Sequence, residues 1–167
     1  MRVGKVSESV LRRSVLRQLH AENKDVIYGA EIGGDCAIFS LSGENDQEIR
    51  QYDVGVSCIQ EGAVVPAANR SFPVGDDSVT CEPMWSMEYL IERCVNNLAV
   101  AGAEPTAVMI ALLLPEDTEE SNLKALLREA DEVCQRHSIQ IAGGQTRVTR
   151  AVTVPYAVLT GYGKAKL

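Results

Sequence analysis

Residues 87–115 read MEYLIERCVNNLAVAGAEPTAVMIALLLP, and this stretch holds both kinds of element from which the fold is built. Its first half has apolar residues at helical spacing, which predicts a helix at about 85–101. Gly102 follows directly, at the position where glycine commonly ends a helix. The second half, Ala107 to Leu114, is a continuous apolar run closed by Pro115, which predicts a buried strand. The stretch therefore predicts a helix followed at once by a strand of the core.

Two further helices are predicted, one on each side of this stretch. Apolar residues at helical spacing after Ser7 predict a helix at about 8–20. A second apolar face predicts a helix at about 118–137, and Asp117 with Glu120 forms an approximate capping box at its start.

Short strands are predicted between and after these helices. The strand at 48–59 ends in a long loop at about 60–77, and a short strand is expected at 78–81. Another strand at 139–142 should stop at a Gly143-Gly144 turn, and a final strand should cover 151–160. Because strands and helices do not alternate strictly, the predicted fold class is α+β, with a mixed four-stranded sheet packed on the three helices.

Composition limits the classes of partner. The formal net charge is −7, from 16 basic and 23 acidic residues. An acidic surface repels nucleic acid and anionic lipid, so neither is expected as a partner. No apolar stretch reaches the length of a membrane span, and five cysteines without a C-x-x-C spacing favour reduced thiols. We therefore expect a cytoplasmic protein with a single domain over residues 1–167.

Glycine-flanked loops carry the polar residues with chemical potential. The two clearest are Gly33-Gly34-Asp35 and Gly143-Gly144-Gln145-Thr146. Glycine lets backbone amides approach a phosphate closely, and a nearby carboxylate can hold the accompanying Mg²⁺. Taken singly, each glycine pair is more typical of a plain tight turn than of a phosphate site. No glycine spacing of the Walker or Rossmann kind is present in the sequence.

The order of the blocks is more specific than any one of them. Five occur in sequence: GGDCAI at 33–38, TCEP at 80–83, NNLAVAGAEP at 96–105, GGQTRVT at 143–149 and TGYGKA at 160–165. This combination resembles the amino-terminal domain of the aminoimidazole ribonucleotide synthetase-related (PurM-like) family. The hydrogenase-maturation-like branch is the most similar, and the resemblance covers the chain except the loop at about 60–77.

The resemblance implies a protein that binds ATP with Mg²⁺ and phosphorylates an oxygen of its substrate. It implies Asp35, Glu82 and Asn97 as metal ligands. It also implies nucleotide contacts from six residues, Asp35, Asn97, Gly143, Gly144, Thr146 and Arg147. In the family, two amino-terminal sheets join into a barrel, so a homodimer is the expected assembly.

The chain departs from the family pattern at several of these positions. Glu82 replaces an aspartate, Asn97 replaces a carboxylate with an amide, and Gln145 replaces an acid or histidine. Because Mg²⁺ prefers anionic oxygens, the departures should weaken metal-assisted phosphate binding. Arg147 stands where an acid is frequent; it either contacts phosphate directly or is an exposed loop residue.

Two functional hypotheses follow, and whether the chain turns over a substrate stays open. Family members continue into a carboxy-terminal domain, which we expect to be absent here. In the first hypothesis, the chain is an ATP/Mg²⁺-binding domain whose phosphoryl-transfer chemistry needs a second domain or a separate partner. In the second, it is a non-catalytic dimeric relative that acts as a regulatory or assembly module. A globular domain whose glycine loops are only turns is a third interpretation, which would require all the blocks to match by accident.

Overall fold

The computed structural model describes residues 7–10, 12, 16–18, 26–28, 31–33, 36–41, 53–66 and 84–166. The helices are α1 (Glu8–Val10), α2 (Met87–Val100) and α3 (Glu120–Arg136), and a 3₁₀ turn covers Leu16–Gln18. The strands are β1 (Val26–Tyr28), β2 (Cys36–Ser40), β3 (Val54–Ala63), β4 (Glu104–Leu114), β5 (Gln140–Val148) and β6 (Tyr156–Ala165). The predicted strand at 78–81 and most of the predicted helix at 8–20 lie outside the described residues.

The strands form one six-stranded mixed sheet, in the order β1-β2-β3-β6-β4-β5. All pairings are antiparallel except β4 with β5, which are parallel and joined through α3. The α+β class is confirmed, but the prediction of four strands was wrong. Strand β1 has only three residues, too few for a periodic pattern to identify it.

Helices α2 and α3 cover one face of this sheet. Along β3 and β6 buried residues alternate with more accessible ones, as expected when a sheet packs on helices on one side only. The core between sheet and helices includes Val56, Leu90, Leu98, Leu126 and Leu159.

Local signals set both ends of α2. The Ser86 side chain accepts a hydrogen bond from the amide of Tyr89 and so caps the first turn. At the other end Gly102 adopts a φ of 74°, and the amide of Ala103 donates to the carbonyl of Leu98. A left-handed residue just past the helix is where glycine is favoured. The helix predicted at 85–101 is thus confirmed to within two residues at each end.

Several predicted boundaries were wrong because they depend on contacts far away in the sequence. Strand β3 continues to Ala63, and Val64 bridges Trp85, so the extended region reaches into the loop predicted from residue 60. Strand β5 runs straight through Gly143 and Gly144, where a turn was predicted.

Two further predictions were displaced along the chain. The last strand covers Tyr156–Ala165 and not 151–160, because its register is set by pairing with both β3 and β4. Helix α3 is capped by Glu119 without a side-chain hydrogen bond, so the capping box was wrong. The amide of Thr118 instead donates to the carbonyl of Pro115. Asp117, the predicted first residue of the box, therefore lies in a turn before the helix.

Candidate functional site

We call the sheet face opposite α2 and α3 the outer face. Strand register defines its residues, because paired residues share a face and neighbours along a strand alternate. The register aligns Ile59 with Thr160, Thr160 with Met109, and Met109 with Gly143. The outer face therefore comprises Ser57, Ile59, Glu61, Ala107, Met109, Ala111, Gly143, Gln145, Arg147, Val158, Thr160 and Tyr162.

The centre of the outer face is apolar. The Ile59 side chain is 61% exposed and Met109 is 42% exposed, although both lie mid-strand. The Tyr162 hydroxyl lies 3.8 Å from the sulfur of Met109, to which it donates a weak hydrogen bond. Further out, the outer face also carries charged side chains, among them Glu61 and Arg147. An exposed apolar patch with a polar rim is typical of a surface that contacts another body.

The sequence analysis did not predict the outer face, although the sequence of β4 indicates it. The run from Ala107 to Leu114 is apolar at every position, and such runs are typical of strands covered on both faces. In the part of the chain that the structure describes, the helices cover only the face that carries Val108, Ile110 and Leu112.

Four predicted nucleotide contacts lie on the edge strand β5. Gly143 and Arg147 belong to the outer face, whereas Gly144 and Thr146 point to the helix side, and all four are exposed. Strand β5 ends the sheet, so alternate backbone amides point to its free edge and not to β4.

The glycine at position 144 has a structural cause. A Cβ atom built there would lie 1.8 Å from the carbonyl oxygen of Ile110, so only glycine allows β5 to pack on β4. Gly143 has more room, since a Cβ atom added there would have the end of the Met109 side chain as its nearest neighbour, at 3.8 Å.

Asn97 lies in the last turn of α2, at the opposite side of the sheet from β5. Its backbone carbonyl accepts a hydrogen bond from the Cys36 thiol at 3.5 Å. Cys36 opens β2 and directly follows Asp35 in the chain, so the end of α2 contacts the strand that follows the first glycine loop. Asp35 and Glu82 themselves lie outside the described residues.

The structure therefore separates the predicted site residues into two groups. One is Asn97 with the start of β2, and the other is the set on β5. Strands β3, β6 and β4 lie between β2 and β5, which at about 4.8 Å per strand spacing places β2 and β5 about 19 Å apart. The described residues of this chain do not form one compact nucleotide cluster, and a ligand that contacts both groups must be elongated or held by a second body as well.

The predicted metal ligands suit Mg²⁺ by type, because the side chains of Asp35, Glu82 and Asn97 all offer oxygen atoms. Within the described ranges, histidine, cysteine, aspartate and glutamate side chains nowhere gather in a group of three or more that could hold a metal ion.

The charged groups of the helices pair mainly with one another. A groove of about 460 Å³ between α2 and α3 is lined by Glu88, Glu129, Glu132, Val133, Gln135 and Arg136. Arg136 forms an ion pair with Glu88, and His137 Nε2 lies 2.9 Å from Glu92 Oε1. These pairs tie α3 to α2 on the side of the sheet away from the outer face. In the part of the chain that the structure describes, no helix is long and apolar enough to cross a membrane.

Comparison with known families identifies the class of protein that this fold represents. The family model described as AIR synthase related protein, N-terminal domain, matches residues 73–165, more than half of the chain. The chain belongs to this family.

Relatives with solved structures share the fold. PurLQS from Thermotoga maritima superposes with a TM-score of 0.57 at 16% identity, over 85% of this chain and 21% of that one. HypE from E. coli gives 0.54 at 19% identity, over 74% and 38%. The hydrogenase maturation protein HypE in complex with ATP gives 0.53 at 16% identity, over 99% and 42%.

A relative by sequence points to the same branch. A Methanocaldococcus jannaschii protein named as a hydrogenase expression/formation protein is 24% identical over 104 residues, which make up 59% of this chain and 31% of that relative. The chain thus spans about a third of the length of such relatives.

Proposed function

We propose that this chain is an ATP- and Mg²⁺-binding domain of a synthetase-related protein, and that phosphoryl transfer requires a second domain or a partner chain. The observation that carries the proposal is the contact between Cys36 and the carbonyl of Asn97, because it joins the two sequence blocks in which ligands are expected. Family membership supports it, and one relative of the same fold was solved with ATP.

Within this proposal, Asp35 and Glu82 hold Mg²⁺ with help from the Asn97 amide. The bound metal neutralises phosphate charge, which is the main catalytic need of phosphoryl transfer. Strand β5 offers free-edge amides and the Arg147 guanidinium to a phosphate at the other side of the sheet.

Calorimetric titration with ATP, with and without Mg²⁺, tests the proposal. We expect saturable binding that requires Mg²⁺ and disappears in Asp35→Ala. Asp117→Ala is the matched control, since it removes an exposed acid from the turn before α3 and should leave binding unchanged. Absence of heat at millimolar ATP would contradict the proposal for this chain alone.

A gain of function sharpens the test. Asn97→Asp restores a carboxylate at the metal position and should strengthen Mg²⁺-dependent ATP binding by roughly tenfold, because anionic oxygens bind Mg²⁺ better than amide oxygens do. Unchanged affinity in this variant would remove Asn97 from the metal site.

The outer face supports a homodimer as part of the same proposal. Ile59→Glu places a charge in the centre of this apolar surface and should convert a dimer into a monomer in sedimentation analysis. Val148→Glu is the matched control, because Val148 is equally apolar and 60% exposed but pairs with buried Leu114 on the other side of the sheet. A wild-type monomer at high concentration would contradict the dimer.

A second candidate function is a non-catalytic dimeric module for regulation or assembly. It is favoured by the amides of Asn97 and Gln145 at positions where the family carries charged or titratable groups, together with the apolar outer face. The two candidates separate cleanly: a dimer that binds no ATP with Mg²⁺ supports the module, and Mg²⁺-dependent ATP binding supports the first proposal.

A further inference from the structure

Three cysteines meet where α2 packs on β2 and β3, and we call them the thiol cluster: Cys36, Cys58 and Cys94. Cys36 and Cys58 are register partners on adjacent antiparallel strands. Both thiols donate hydrogen bonds to carbonyls of α2, Cys36 to Asn97 at 3.5 Å and Cys58 to Cys94 at 3.6 Å. The described cysteines form no disulfide with one another.

The register of β2 and β3 places Cys36 and Cys58 close to the separation that a disulfide requires. The carbonyls of Cys94 and Asn97 are three residues apart on one helix, so they lie about 5 Å apart, and each holds one of the two sulfurs. Directly opposed residues of antiparallel strands have Cβ atoms about 4.5–5.5 Å apart, and a disulfide needs about 3.5–4.5 Å. A shift of about 1 Å therefore suffices. Every residue of β2 is only half-buried, so this strand can make that movement more easily than the core strands.

The three thiols of the cluster differ in their exposure to solvent. Cys36 is half-buried, whereas Cys58 and Cys94 are almost fully buried. Gly161 makes room for the inner pair, because a Cβ atom there would lie 3.1 Å from Cys58 Sγ and 3.2 Å from Cys94 Cβ. A hydrogen bond with Cys58, and then burial, raise the pKa of the Cys94 thiol, which keeps it protonated and unreactive. A dissolved oxidant thus meets Cys36 first, and the neighbour able to respond is Cys58.

We propose that Cys36 and Cys58 form a reversible cross-strand disulfide pair, with Cys36 as the entry point for a small-molecule disulfide such as oxidised glutathione. In the first step the Cys36 sulfur attacks the glutathione disulfide, a Cys36–glutathione disulfide forms, and one glutathione thiol leaves with the proton. In the second step the Cys58 sulfur attacks the Cys36 sulfur, the protein disulfide forms, and a second glutathione thiol leaves. Two protein thiols are oxidised and one glutathione disulfide is reduced to two thiols.

The oxidised form ties β2 to β3 and closes the chain segment from Cys36 to Cys58 into a loop. Closing a loop of this length lowers the entropy of the unfolded chain, so the disulfide should raise Tm, on the order of 5 °C. The Cys36 thiol also gives up its hydrogen bond to the Asn97 carbonyl.

The test is incubation of the folded protein with oxidised glutathione, followed by peptide mapping under non-reducing conditions. Every sample carries Cys81→Ser, because Cys81 lies outside the described residues and its thiol must not exchange. We expect a bridged Cys36–Cys58 peptide, a raised Tm, and reversal of both by dithiothreitol. This mapping needs no ATP, so its outcome is independent of the proposed function.

Three variants make the outcome specific. Cys58→Ala should stop at a single glutathione adduct on Cys36, whereas Cys94→Ala and the remote control Cys134→Ala should still form the bridge. Absence of any bridged peptide in the protein with Cys58 intact, or a bridge between Cys58 and Cys94 instead, would overturn the proposal. So would a Cys58→Ala protein that acquires no adduct on Cys36.

Discussion

The two faces of the sheet both carry apolar residues, but they differ in how far those residues are buried. On the helix side, Val56, Leu159 and Val108 are buried almost completely against α2 and α3. On the outer face, the neighbouring residues Ile59, Val158 and Met109 are also apolar, but they lie on the side of the sheet opposite the described helices α2 and α3. The difference teaches that an apolar strand sequence does not by itself tell which face is covered, because among the described residues the helices cover only one of the two faces of β4.

The largest effect should come from truncation on the helix side. Leu159→Ala removes a side chain that is 0% exposed and should lower the free energy of unfolding by about 3 kcal/mol, from lost burial and the cavity left behind. Val158→Ala, one residue away on the outer face, should cost less than about 1 kcal/mol. Urea denaturation of dilute protein measures both, and equal losses would show that the outer face is packed as well.

A smaller effect is expected at the glycine pair of β5. Gly144→Ala brings a Cβ atom against the Ile110 carbonyl, so β5 must move away from β4, at a cost of about 2 kcal/mol. Gly143→Ala is the matched variant on the outer face; both glycines have a positive φ, but Gly143→Ala should cost less because its Cβ atom meets only the end of the Met109 side chain. The same denaturation series compares them, and a reversed order would contradict the register of β5 on β4.

The buried thiols of the helix layer should make stability depend on alkaline pH. Burial raises the pKa of Cys134 from 9.0 to about 11, so the folded state disfavours the thiolate that the unfolded chain forms freely. The contribution is complete below pH 9 and is lost as the pH rises from 9 to about 11, by about 1 kcal/mol after solvent screening. Across this pH range, Tm should fall less steeply with rising pH for Cys134→Ala than for the wild type. The same dependence of Tm on pH in both proteins would contradict the assignment.

The smallest effect on folding is expected at the centre of the outer face. Ile59→Thr keeps a β-branched residue on β3 and changes only an exposed apolar surface, so the monomer's unfolding free energy should stay within about 0.5 kcal/mol. Binding of a hydrophobic dye to the outer face should fall. A loss of stability above about 1.5 kcal/mol would mean that the chain itself covers Ile59.

The sequence by itself determined the elements whose limits are set locally. Ser86 and Gly102 mark the ends of α2, and Pro115 closes β4, because a cap, a left-handed residue and a missing amide act within one or two turns of the chain. The five sequence blocks also indicated the family without any knowledge of tertiary contacts. The continuous apolar run from Ala107 to Leu114 is typical of a strand that is covered on both faces.

Only the tertiary structure decided the features that depend on pairing between distant residues. Gly143 and Gly144 are suited to a turn by local preference, yet pairing with β4 extends them into β5. The six-strand order, the shift of β6 and the outer face follow from the same register, which no local pattern encodes. For the same reason, sequence spacing could not tell that Asn97 lies beside β2 while Arg147 lies at the far edge of the sheet: distances across a sheet are set by strand order and not by position along the chain.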